Sequence, residues 1–139
     1  MKRAERLVLS DYFHSKAVVF LCSQLTVWRI YYPIRRKGEV VMVQQIWASR
    51  VDAFIREQNC FVIDLRDRYE YARGHLRQAV RMDAEFIEEQ GIDLPKQVPI
   101  LLYCEGGSIS LKIARLLSMR GYHVYNLAGG YDAYLRVKK

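Results

Sequence analysis

Cysteine is scarce in this chain of 139 residues: Cys22, Cys60 and Cys104 stand far apart, and no two form a CxxC pair. An odd, scattered set of this kind excludes a disulfide framework and a zinc knuckle, and it fits a reducing, cytoplasmic setting. Long apolar runs are missing too. Residues 17–28 are uncharged, but Ser23, Gln24 and Thr26 interrupt them, and the run is well short of the roughly twenty apolar residues a membrane span needs. The same run lacks a small-residue cleavage site and is followed by Arg35, Arg36 and Lys37, which argues against a secretory signal. Length excludes as well, since 16.4 kDa suits one domain with a proper core and is too short for two ordinary ones.

Acidic residues are the next shortage, 15 against 22 Lys and Arg, for a net charge of +7. The imbalance is local: residues 1–41 hold eight of the basic side chains and only three of the acids. Beyond them the charge is nearly balanced, and no basic stripe interleaved with aromatics runs through the sequence, so nucleic-acid binding is set aside. Residues 1–41 therefore read as an N-terminal extension ahead of one domain over residues 42–139. The aromatic and basic stretch from Trp28 to Lys37 leaves a peripheral membrane contact open. Residues 26–32 and 39–43 read instead as strands around a Pro33 to Gly38 turn. A third expectation is that Met42 is itself a native start, because Arg36-Lys37-Gly38-Glu39 can be encoded by a purine-rich stretch resembling a bacterial ribosome-binding site. Native peptides from residues 1–35 would rule that out.

What the sequence does contain is one segment that looks like chemistry, PILLYCEGGSISLKIARLL, residues 99–117. Its first five residues suit a buried parallel strand. From Ser110 on, Leu111, Ile113, Ala114, Leu116, Leu117 and Met119 recur at helical spacing, with Ser108 or Ser110 as N-cap and Gly121 as the stop. Cys104 thus falls between a strand's carboxyl end and a helix's amino end, in a turn containing Gly106 and Gly107. Converging N–H groups and the helix dipole favour an anion there. A thiolate is such an anion, and thiols in these surroundings ionise below the ordinary value of about 8.5.

The rest of residues 42–139 alternates. Ile46, Trp47, Val51, Phe54 and Ile55 share one helical face, with Asn59 as the stop. Residues 61–65 read as a strand, 69–73 as a short helix ended by Gly74, and 79–82 as another strand. Asp83 caps a helix ended at Gly91. Residues 123–127 alternate as a strand, and Ala128-Gly129-Gly130 turns into a last helix over 131–137. Strands alternating with helices imply an α/β fold with a central parallel sheet covered on both faces, whose ligands bind beyond the strands' carboxyl ends.

From about Gln44 to Val137 the chain resembles a single-domain rhodanese, a sulfurtransferase module. The likeness rests on Val62-Ile63-Asp64-Leu65-Arg66, on Glu70-Tyr71 through Gly74-His75-Leu76, on Leu102-Tyr103-Cys104 with Gly107 following, and on residues 124–130, VYNLAGG. The resemblance implies that Cys104 is the nucleophile that carries a sulfane sulfur as a persulfide, and that the amides of Glu105, Gly106, Gly107, Ser108, Ile109 and Ser110 cradle it. It implies no metal and no organic cofactor. The expected partners are a small sulfur donor such as thiosulfate or a persulfide and a thiol or cyanide acceptor, with a partner protein as a further candidate. Two positions depart from the common pattern: Ile109 stands where many members carry arginine, and Arg77 or Gln78 where many carry glycine. Without the arginine, thiosulfate turnover is expected to be weak, and an inactive binding module of the same fold becomes the alternative. Cysteine-dependent phosphatases need a longer loop ending in arginine, which Ile109 and Ser110 do not supply. Asp64 and Arg66 are supporting candidates that read equally as a structural ion pair. His75 is a third, expected to bond backbone and order its turn. Glu105 faces the mouth in this reading, and Cys22 and Cys60 read as buried structural residues.

Overall fold

The computed structural model describes residues 43–139. Residues 17–28 with Cys22, the Trp28 to Lys37 surface, the strand over 26–32 and nearly all of the strand over 39–43 lie outside the described residues. Among the described residues ten elements alternate: β1 (Gln44–Ile46), α1 (Val51–Gln58), β2 (Phe61–Asp64), α2 (Arg68–Arg73), β3 (Val80–Arg81), α3 (Ala84–Gln90), β4 (Ile100–Tyr103), α4 (Ser108–Met119), β5 (Val124–Leu127) and α5 (Gly130–Lys138). The strands form one sheet in the order β1-β5-β4-β2-β3, parallel at every pairing. The expected α/β class with a central parallel sheet is therefore what the chain adopts.

Strand alternation sorts the core into two faces. Val62, Leu101, Tyr103, Tyr125 and Leu127 pack with Val51, Ile55, Leu76 and Tyr131 on one of them. Ile63, Leu102 and Val124 point the other way, where α4 covers β4 and β5 and packs against α3. Ile113, Ala114, Leu117 and Ile87 are fully buried on that side.

Order along the sheet places the site. After β2 the chain steps outward to β3, and after β4 it steps the opposite way to β5, so β2 and β4 are neighbours whose connections diverge. A crevice opens beyond the carboxyl ends of two such strands. Asp64 ends β2 and Tyr103 ends β4, and the two are register partners.

Three local expectations are corrected. Ile46 closes strand β1 rather than opening a helix, and Trp47 is 70% exposed, because pairing of residues 44–46 with 125–127 overrides the local helical spacing. Helix α4 begins at Ser108, with Gly107 rather than a serine at the N-cap position. Met119 at its far end is exposed and stands apart from the buried stripe. Asp83 precedes α3 without a side-chain cap bond, since its carboxylate pairs with Arg81. Asn59 does stop α1, in the left-handed conformation.

Candidate active site

Strand β4 delivers Cys104 to the crevice and α4 begins four residues later, so the sulfur sits where the first-turn amides of that helix have no intrahelical acceptor. The Gly107 N–H donates to Sγ at 3.1 Å and the Ser110 N–H at 3.4 Å. Ser110 Oγ lies 3.4 Å from Sγ, with either atom able to donate, and 3.2 Å from the Gly107 carbonyl, to which it donates. Gly107 has φ +96°, which turns its N–H inward, and a side chain there would crowd the backbone of residues 127, 129 and 130. Cys104 and Ser110 are buried, whereas Glu105, Gly106, Ser108 and Ile109 are exposed. The structure thus brings two of the expected loop amides, and one hydroxyl, directly onto the sulfur.

The opposite side of the loop is fixed by α5. The Tyr131 N–H donates to the Cys104 carbonyl at 2.9 Å and the Asp132 N–H to the Glu105 carbonyl at 3.0 Å. These bonds hold the loop carbonyls against α5 while Gly107 and Ser110 aim their N–H groups at the sulfur. Close approach requires Gly130: a Cβ on it would stand 2.6 Å from the Cys104 carbonyl oxygen and nearer still to that of Glu105.

A buried polar network lies on the β2 side. Arg66 donates through Nη2 to Asp64 Oδ2 at 2.7 Å and through Nε to both carboxylate oxygens, at 3.1 and 3.2 Å. Its Nη2 also reaches the Gly74 carbonyl at 2.6 Å, and its guanidinium lies 3.8 Å from the Tyr131 ring centroid. Tyr103 donates to Asp64 Oδ2 at 2.7 Å and accepts from the Leu76 N–H at 3.1 Å. Burial opposes the charge on Arg66, but its hydrogen bonds to Asp64 and the carboxylate's charge outweigh this and hold it above its ordinary value. Burial, reinforced by the bond to Asp64, pushes the Tyr103 hydroxyl far up, so it stays a neutral donor. Asp64 and Arg66 therefore meet as a structural ion pair that touches the loop once, where Arg66 Nη1 lies 3.8 Å from Glu105 Oε2.

Burial, followed by the neighbouring Asp132, raises the Glu105 carboxyl above the usual range, with Arg66 acting in the opposite direction. His75 does what a turn-ordering residue does: it is exposed, stacks on Tyr71 at 4.0 Å and brings Nδ1 within 2.9 Å of the Tyr71 carbonyl. Cys60 is buried and forms no disulfide. Tyr103, Gly130, Tyr131 and Asp132 are the contributors that sequence reasoning passed over as site residues. For the first three, the adjacency to LYC and AGG was the available signal. Of the two positions left open for a missing glycine, Gln78 is the one with positive φ, at +56°. Among the described residues, no cluster of His, Cys, Asp and Glu is arranged to hold a metal ion. No described helix is long and apolar enough to cross a membrane.

Sequence comparison gives the class that this sheet and loop define. The rhodanese-like domain model matches residues 48–136, and the chain belongs to that family. A tRNA uridine(34) hydroxylase of Hamiltonella defensa is 30% identical over 103 residues, 69% of this chain but only 29% of its own length, so the chain spans under a third of that relative. The thiosulfate sulfurtransferase GlpE of Coxiella burnetii is 26% identical over 95 residues, 68% of this chain and 89% of its own. A rhodanese-related protein from Thermoplasma volcanium shares the fold with a TM-score of 0.62 at 19% identity, over 68% of this chain and 92% of that one.

Proposed function

We propose that the protein is a sulfurtransferase that carries a sulfane sulfur on Cys104, with residues 42–139 as the working unit. The observation that carries this reading is the set of donors converging on one buried sulfur, the amides of Gly107 and Ser110 at 3.1 and 3.4 Å with the Ser110 hydroxyl beside them. Preorganised donors of this kind stabilise sulfur-centred negative charge without a neighbouring base. With thiosulfate, the Cys104 thiolate bonds to the outer sulfur as the S–S bond to the sulfonate breaks. Sulfite leaves with that electron pair, and the charge remains on the new terminal sulfur. In the second half, cyanide or a thiolate attacks the terminal sulfur, leaving as thiocyanate or a new persulfide and returning the Cys104 thiolate. The first-turn amides of Ser108 and Ile109 are available to the added sulfur.

The likeness to a named thiosulfate sulfurtransferase supports this class of chemistry. Ile109, half exposed and uncharged in the loop, favours a second reading in which the crevice binds a partner without turnover. Intact mass separates the two: protein and its Cys104→Ser variant are incubated with thiosulfate or a low-molecular-weight persulfide, then with cyanide. The expected result is one added sulfur on the wild type alone, released by cyanide. No adduct with any donor, or an adduct that survives the substitution, leaves the binding module standing.

A further inference from the structure

The chemistry around the mouth of the loop is lopsided. Glu105, directly after the cysteine, is half exposed and has Asp132 of α5 beside it, the two joined through the Asp132 N–H on the Glu105 carbonyl. Glu70 of α2 adds a third carboxylate whose field reaches Glu105. Acids from α2 and α5 therefore act on the one carboxylate that follows the cysteine. Arg66 comes within 3.8 Å of Glu105, but that cation is largely occupied: its side chain is 3% exposed, it is bound more closely to Asp64 and Gly74, and the Tyr131 ring covers it. Arg73 sits 3.7 Å from Glu70 but is itself mostly exposed. Ile109, at the loop position where a cation would compensate, supplies none.

An incoming donor must place its sulfane sulfur among the loop amides while the rest of it remains at this mouth. A small dianion brings its own charge against the carboxylates, whereas a positively charged carrier is attracted by them. We infer that Glu105 and Asp132 make this site selective for a persulfide whose carrier bears a positive charge close to the sulfur, and that they act against thiosulfate. This rests on the reading of Cys104 as the sulfur carrier. In the step itself Sγ bonds to the donor's terminal sulfur, the donor's S–S bond breaks, and the electron pair leaves on the carrier thiolate, which the adjacent positive charge stabilises. The same chemistry is available from a small aminothiol or from a protein cysteine flanked by lysine or arginine.

The test is the rate of persulfide formation on Cys104, followed by intact mass, with four donors: 2-aminoethyl persulfide, 2-carboxyethyl persulfide, thiosulfate, and a cysteine-persulfide peptide flanked by arginines. The cationic small donor is expected to outpace its anionic analogue, and added salt to slow the former and speed the latter. Glu105→Gln and, independently, Asp132→Asn should each shrink the cationic-to-anionic ratio, by about tenfold for the first. A peptide faster than the aminoethyl donor assigns the source to a protein, and a slower one to a small aminothiol. Equal rates for the cationic and anionic donors, or a ratio that neither variant changes, overturn the inference while leaving Cys104 a sulfur carrier. Failure of every donor to load Cys104 overturns both.

Discussion

The Tyr131 amide and the Cys104 carbonyl meet at 2.9 Å, so the helix that follows the last strand grips the backbone of the reactive residue itself. Gly130 makes that approach possible, with φ +64° and no room for a Cβ. Gly130→Ala should destabilise the fold by roughly 2–4 kcal/mol and slow sulfur loading of the protein that remains folded. Gly106 has open space where its Cβ would be. Gly106→Ala should stay within about 0.5 kcal/mol of wild type. Chemical denaturation of both variants, together with their loading rates, checks the contrast. Equal costs would mean that the loop does not lean on α5.

Tyr103 bridges the two strands that frame the crevice, giving its proton to Asp64 and taking that of Leu76. In Tyr103→Phe a buried N–H loses its acceptor and Asp64 loses a donor, for a cost of roughly 1–3 kcal/mol. The urea midpoint should fall with little change in slope. A variant as stable as wild type would show the network to be dispensable.

Glu105 supplies a pH prediction whose sign follows from its raised carboxyl pKa. Between the unfolded value, about 4.3, and the higher folded value, the folded state binds more protons, so stability falls as pH rises through that window. The penalty is fully present above the folded value and vanishes below the unfolded one. Glu105→Gln should therefore raise the melting temperature at pH 7 and lose that advantage near pH 4. An equal shift at both values, or a lower melting temperature at pH 7, would contradict the assignment.

Ile109→Arg restores a cation at the mouth without touching the amides. A single charge-assisted contact to a dianion should raise kcat/KM for thiosulfate about tenfold, read as thiocyanate formed with cyanide. A cationic persulfide should gain nothing. Parallel gains for both donors would point to a change in loop packing rather than charge.

Gln78 holds a left-handed conformation that suits glycine, and its Nε2 donates to the Cys60 carbonyl at 3.3 Å. Gln78→Val, which brings a β-branched side chain to φ +56° and removes that bond, should cost about 1–2 kcal/mol. Gln78→Gly should be close to neutral, because relief of strain offsets the lost bond and the added unfolded-state freedom. Thermal melts of the pair decide it, and a harmless valine would refute the strain.

Local pattern carried much of this fold. The apolar run before Cys104, the glycine turn and the periodic stretch after it were legible because a buried parallel strand and an amphipathic helix each leave their own period. Ile46 and Trp47 were misread as helical because the true partner of Ile46 is Leu127, far along the chain, and nothing near Ile46 announces it. The start of α4 was misplaced for a different reason. Serine is the usual cap, but here the N-cap residue must turn its own amide toward Sγ, which Gly107 does at positive φ. Asp64 and Arg66 stood out as a pair two residues apart, whereas the Tyr103 hydroxyl that joins them from the next strand depends on register. The crowding of Glu105 by Asp132 is tertiary too, since only the fold brings α5 under the loop.

The grip of α5 on the loop also sets an order of events. A ribosome finishes Cys104 before it makes residues 130–132, whose glycine and amides hold the loop in shape. A nascent chain therefore displays Cys104 before these bonds can form, and a chain cut short before Gly130 never makes them. The shape of the loop thus depends on synthesis through α5, and premature termination yields a product that retains Cys104 without the amides of residues 131 and 132 that fix its carbonyl and that of Glu105.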